Sequence, residues 1–195
     1  MERIRQAALA AGREPGEITL CAATKVQTDE TIRAAIAAGV RVCGENRVQE
    51  LAAHLAADAY AGAEQVHFIG HLQTNKVKQV VGHVDLIQSV GSAHLLQAIQ
   101  NQADKQGIIQ DILLEVNIGR EAAKSGFAPE KVLPAAEASL ERTHVRVRGL
   151  MTIPPADAQR DANFRYFQEV QALYVDMNQK LFHNELEYLS MGMSG

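Results

Sequence analysis

Apolar and polar positions along this chain follow two alternating periods. Short β-branched or apolar runs recur at Ile18–Thr24, Val40–Cys43, Val66–Ile69, Leu86–Ser89, Ile112–Asn117, Val145–Leu150 and Leu186–Ser190, and each reads as a strand. Longer segments with helical spacing follow most of them. Strict alternation of this kind predicts parallel strands joined by right-handed crossovers. Seven such units in 195 residues point to a (β/α) barrel of the eightfold type rather than a doubly wound open sheet. The first turn supports that choice. A dinucleotide fold wants G-x-G-x-x-G after strand one, and this chain has Thr24-Lys25-Val26-Gln27 there.

The helices carry readable ends. Thr28 is placed to cap a helix with Asp29 and Glu30 in its first turn, Ile32, Ala35 and Ile36 facing inward, and Gly39 at its close. Asn46 and Gln49 have capping-box spacing before an inward face of Val48, Leu51 and Leu55. Ser92 precedes Leu95, Leu96 and Ile99, and Gly107 ends that helix. A stripe of Phe164, Phe167, Val170, Leu173, Tyr174, Met177 and Leu181 predicts a long packed helix. Pro134, five residues after Pro129, predicts a kinked or restarted helix.

Composition narrows the class further. A formal charge of −4 argues against a nucleic-acid or anionic-membrane surface as the main partner. No apolar run is long enough to span a bilayer, and no signal-peptide pattern opens the sequence. Cys21 and Cys43 both fall in strand-like runs and read as reduced, buried thiols. A soluble, cytoplasmic protein is the expectation.

Lys25 is the residue with most chemical promise. It follows the first strand at its carboxyl end, where α/β proteins bind ligands. A lysine there can be a solvated charge, or an amine desolvated by the strand layer and able to attack an aldehyde. Gly44-Glu45-Asn46 closes strand two, where Asn46 is explained by a helix cap alone. His67 and His71 lie on strand three and its exit, so they share no helical face, and no metal site is expected. His67 can instead line a strand-end pocket. Lys124-Ser125-Gly126 ends like a phosphate loop, but Ile118 and Ala123 stand where its glycines belong. Ser190-Met191-Gly192-Met193-Ser194-Gly195 could bring backbone N–H groups close to an anion, or be a loose terminus.

Taken in order, six segments resemble one family, the pyridoxal-phosphate homeostasis proteins. They are Ala22-Ala23-Thr24-Lys25, Gly44-Glu45-Asn46-Arg47-Val48-Gln49-Glu50, the run His67 to Lys76, Lys124-Ser125-Gly126-Phe127, Arg148-Gly149-Leu150-Met151-Thr152-Ile153-Pro154, and Ser190-Met191-Gly192-Met193-Ser194. That family is similar to the barrel domain of alanine racemase, the TIM-type barrel of fold-type III pyridoxal-phosphate proteins. The resemblance implies one cofactor-binding domain over residues 1–195. It implies that Lys25 holds pyridoxal 5′-phosphate as a Schiff base. Asn46 and His67 would surround the cofactor, Met151 would approach its ring, and Ser190 and Ser194 would lie near the phosphate.

The implied role is vitamin B6 balance without established turnover, in a monomer that hands its cofactor to apo-enzymes. A racemase-like enzyme and a cofactor-free interaction surface are the rival readings. Against the family pattern, Thr24 stands where serine is common and Gln27 where a second lysine is common. The family's last strand, with Arg-x-Gly-Thr, and its closing helix have no counterpart before Gly195, so a truncated barrel is expected.

Overall fold

The computed structural model describes residues 2–122, 124–155 and 160–192. The chain divides into two compact units, Met1–His67 and Phe68–Gly195. All seven expected strands are present among the described residues, each within a few residues of its expected place.

The first unit holds α1 (Glu2–Ala10), β1 (Cys21–Ala23), α2 (Asp29–Ala37), β2 (Val42–Glu45), α3 (Val48–Ala56) and most of β3 (Gln65–Phe68). Strands β1 and β2 pair in parallel, with Cys21 opposite Val42 and Ala23 opposite Gly44. Thr28 caps α2 as its sequence requires, its hydroxyl accepting the Thr31 N–H at 3.3 Å. Gly39 follows α2 at φ +101°, a conformation that an L side chain resists. Ile32, Val42, Cys43 and Leu51 are buried and make the core of this unit.

Three expectations fail here. Strand β1 is short and only half-buried, because it is the first strand of its sheet and pairs on one side. Leu55, expected inward, is 37% exposed. Asn46 does not cap α3, since Arg47 holds the cap position and makes no side-chain cap bond. The Glu45 carboxylate takes over instead: its Oε1 accepts the Asn46 N–H at 2.6 Å and the Arg47 N–H at 3.2 Å. For the Asn46 N–H, which a capping box gives to the residue at Gln49, a full negative charge outcompetes a neutral amide.

The second unit holds β4 (Leu86–Val90), α4 (Ala93–Gln106), β5 (Gln110–Glu115), α5 (Pro129–Ser139), β6 (Val145–Thr152), α6 (Arg160–Leu181) and β7 (Tyr188–Met191). The four strands are parallel and adjacent in chain order. Ser92 caps α4 through the Leu95 N–H at 3.1 Å, and Gly107 ends it at φ +65°. Helix α5 runs unbroken through Pro134. Proline there removes one hydrogen bond, to the carbonyl of exposed Glu130 in the first turn, and the rest of the helix continues. Val170 and Met177 anchor α6, but Phe164 is 63% exposed, so the buried stripe begins only beyond it.

This sheet is strongly curled. Ser190 on β7 donates to Gln88 Oε1 on β4 at 2.7 Å. On a flat sheet three inter-strand steps would hold those strands roughly 14 Å apart. Met151, Leu86 and Leu113 pack on the inner face with Tyr188 against them. Gly149 permits the close approach of β7 to β6. A Cβ there would lie 1.7 Å from the Tyr188 carbonyl oxygen, and its φ is +152°.

Candidate functional site

Each unit presents chemistry at its strand ends. In the first, β1 ends at Ala23 and the chain turns over Lys25 and Val26, closed by the Gln27 N–H donating to the Thr24 carbonyl at 3.1 Å. Both flanks of Lys25 are pinned. Thr24 is buried, and its hydroxyl lies 3.2 Å from the Gly44 carbonyl and 3.0 Å from Glu45 Oε2. Val26 donates its N–H to Glu50 Oε2 on α3 at 2.8 Å. Val26 also sits at φ +57°, where a β-branched residue costs about 1–2 kcal/mol. Strain of this kind persists only where surrounding contacts hold it, and it clusters at functional positions.

Lys25 itself is exposed, and its side chain makes no hydrogen bond or ion pair with another described residue. Of the two placements the sequence left open, a solvated lysine and a desolvated one, the structure has the solvated one. Strand β1 ends at Ala23, one residue short of its expected close, so the lysine rides a turn instead of following directly on the strand.

Asn46, relieved of capping, is half-buried, and its Oδ1 is buried with no hydrogen-bond partner among the described residues. A buried acceptor left empty costs about 1–3 kcal/mol, which marks it as a place for a donor from outside the chain. His67 is buried on β3, with Nε2 3.0 Å from Gln65 Oε1. Cys21 and Cys43 are free, as expected, and burial with the neighbouring Cys43 pushes the Cys21 thiol up to about 12.

Sequence reasoning overlooked Glu45, Glu50 and His54. Glu45 is fully buried at the end of β2 and organises the start of α3 and the Thr24 hydroxyl. Its Oε2 also accepts from the Tyr60 hydroxyl at 3.5 Å, and burial holds that phenol above its usual range. Glu50 and His54 stand four apart on α3, and this spacing on a predicted helix was the available signal.

In the second unit, parallel pairing sets Glu115, Met151 and Ser190 in one row across β5, β6 and β7. Two of the expected site residues are thus lateral neighbours. Met151 is buried against Leu86 and Leu113, and Ser190 is held by Gln88. Ser194 lies outside the described residues. A cavity of about 670 Å³ opens near these strand ends, with His71, Asn75, Ser89, Ser92, Lys124 and Ser125 in its wall. That volume suits a small organic ligand. Within its wall, Lys124 is paired with Glu121 at 2.8 Å. The Ser125 hydroxyl is 2.9 and 3.0 Å from the two Glu115 oxygens. Burial raises the Glu115 pKa, with Ser125 and His71 opposing the shift.

Parallel strands with a curled inner face and chemistry gathered at the carboxyl ends define a (β/α) barrel-class ligand-binding protein. Comparison with known proteins makes this specific. The profile of the alanine racemase N-terminal domain matches residues 3–195. A pyridoxal phosphate homeostasis protein of Aquifex aeolicus is 42% identical over 194 residues, covering 100% of this chain and 84% of that protein. One from Pseudomonas aeruginosa is 38% identical over 98% of this chain and 81% of its own length. Among solved structures, PipY of Synechococcus elongatus PCC7942 with PLP bound superposes with a TM-score of 0.80 at 27% identity, over 97% of this chain and 87% of PipY. The chain belongs to the pyridoxal phosphate homeostasis protein family, within the alanine racemase N-terminal domain class.

Proposed function

We propose that this protein binds pyridoxal 5′-phosphate through Lys25 and serves intracellular vitamin B6 homeostasis. The carrying observation is the Lys25 amine, free of partners on a turn whose two flanking residues are pinned. An unpaired amine can react, and a fixed backbone on either side limits where it reacts. The relatives' names and the PLP held by PipY support the same reading. When bound, the cofactor supplies an aldehyde for covalent capture by an amine and a ring that withdraws electrons.

The chain's own residues divide the remaining work. Asn46 offers its empty buried acceptor. His67 adds a buried imidazole held by Gln65, and Met151 an apolar contact for the ring. Ser190 and, by sequence, Ser194 offer hydroxyls to the phosphate. Cys21, with its thiol held protonated, suits the reducing cytoplasm, where we place the protein as a monomer that passes its cofactor to apo-enzymes.

Incubation with pyridoxal 5′-phosphate, borohydride reduction and peptide mapping tests this reading. One cofactor mass per chain is expected on the peptide bearing Lys25, and none on Lys25→Ala. Labelling of Lys25→Ala at the wild-type level would refute the assignment.

A further inference from the structure

Buried on the inner side of α3 is an arrangement that the cofactor reading does not use. His54 is 7% exposed. Its Nδ1 lies 2.7 Å from Asp29 Oδ1, so Nδ1 carries the proton and donates it to the carboxylate. The other nitrogen, Nε2, is not engaged by Asp29. It is buried, has no hydrogen-bond partner among the described residues, and faces Glu45 Oε2 at 3.9 Å. That carboxylate is fully buried, and among the described residues its hydrogen bonds come from neutral donors: Asn46 N–H, Arg47 N–H and the Thr24 and Tyr60 hydroxyls. A cation held between this nitrogen and the buried carboxylate is stabilised by both.

A third donor completes the group. Glu50 precedes His54 by one helical turn on the same face of α3. One ligand atom from each of Glu45, Glu50 and His54 lies within 4.8 Å of the others. A tetrahedral Zn²⁺ sets its ligand atoms about 3.3 Å apart, so Nε2 and Oε2, at 3.9 Å, have to approach by a few tenths of an ångström, within the reach of side-chain adjustment. Glu50 is tied to Arg47 at 2.9 Å, but the Arg47 side chain is 64% exposed and such a pair yields easily. The Glu50 side chain keeps 24% of its surface open, which leaves an entry path. Asp29 occupies the position of the carboxylate that orients a metal-bound histidine and fixes its tautomer.

We propose that Glu45, Glu50 and His54 form a binding site for a divalent transition-metal ion of the Zn²⁺ class, with Asp29 as the residue that positions His54. Two carboxylates and one imidazole neutralise the ion's charge and leave one tetrahedral position for water. The site is one hydrogen bond from the Lys25 turn, through Glu50 and Val26. Neither the site nor its test depends on the cofactor.

Untagged protein, stripped of metal with a chelator, is titrated with Zn²⁺ by calorimetry and with Co²⁺ by visible absorption. One ion per chain is expected, with a Co²⁺ spectrum of a four-coordinate site bearing one nitrogen. His54→Ala should abolish saturable binding. Glu50→Gln keeps an oxygen for the Val26 N–H and removes a ligand charge, so it should fold and bind at least about tenfold more weakly. Asp29→Asn should weaken binding about 10–100-fold. Lys25→Ala should bind the metal as the wild type does, which separates this proposal from the cofactor assignment. Absence of one-to-one binding in the wild type overturns the proposal. Equal affinity in wild type, His54→Ala and Glu50→Gln overturns it as well. If His54→Ala does not fold, Glu50→Gln decides the matter alone.

Discussion

Two lysines stand near strand ends, one in each unit, and their surroundings differ in the one respect that matters for amine chemistry. Lys25 follows β1 with no partner, between residues fixed by Glu45 and Glu50. Lys124 stands in a motif that looks more like a ligand loop, yet it is engaged by Glu121, while neighbouring Ser125 is committed to Glu115. The comparison teaches that availability comes from what surrounds the group. A carboxylate three residues away occupies one ammonium. The other has no such partner, and the acids that pin its neighbours, Glu45 and Glu50, bind a threonine hydroxyl, a backbone N–H and the Arg47 guanidinium.

The largest expected effect breaks the comparison outright. Lys25→Ala should remove essentially all borohydride-fixed cofactor, whereas Lys124→Ala should leave the labelling stoichiometry unchanged. Cofactor mass appearing on Lys124 in place of Lys25 would reverse the roles of the two lysines.

Next in size comes the backbone that supports each region. Gly149→Ala should destabilise the chain by about 3 kcal/mol or more, because its Cβ would strike the Tyr188 carbonyl and its φ is +152°. Gly39→Ala, at φ +101° with open space around it, should cost about 1 kcal/mol. Denaturant midpoints for the two variants measure the contrast, and equal losses would deny the close approach of β7 to β6.

A pH dependence sharpens the second unit. Burial raises the Glu115 pKa, so between the unfolded value near about 4.3 and its higher folded value the native state holds more protons than the unfolded one. Stability contributed there is complete below the unfolded pKa and declines as pH rises through the folded pKa. Glu115→Gln should flatten that decline, which urea titrations across the acidic range would detect.

Smallest is the strain beside Lys25. Val26→Gly should relieve the left-handed backbone and raise stability by about 0.5 kcal/mol, after the entropy cost of glycine. A lower urea midpoint would mean that the valine is comfortable in this turn.

Much of this protein was legible in its sequence. The seven strands, the Thr28 and Ser92 caps, the Gly39 and Gly107 ends and Lys25 after β1 all depend on neighbours within a few positions. Hydrophobic period, cap preference and glycine conformation act over that range, so the linear chain carries them. The site was legible only in part. Asn46 looked like a cap because its spacing to Gln49 is right, and that spacing did not announce that Glu45 would take the Asn46 N–H expected for Gln49. His54 looked like one more helical residue until Asp29, twenty-five positions away, fixed its proton.

The sequence by itself determined the strand and helix succession, the parallel class and the place of Lys25 just after the first strand. Tertiary structure alone decided which groups are free. It engaged Lys124, left Lys25 unpaired on an exposed turn, emptied the Asn46 acceptor and turned His54 toward Glu45. It also curled the second sheet until Ser190 met Gln88, 102 positions apart. Burial, charge pairing and lone-pair direction depend on distances in space between residues remote in sequence, and no local pattern encodes those distances.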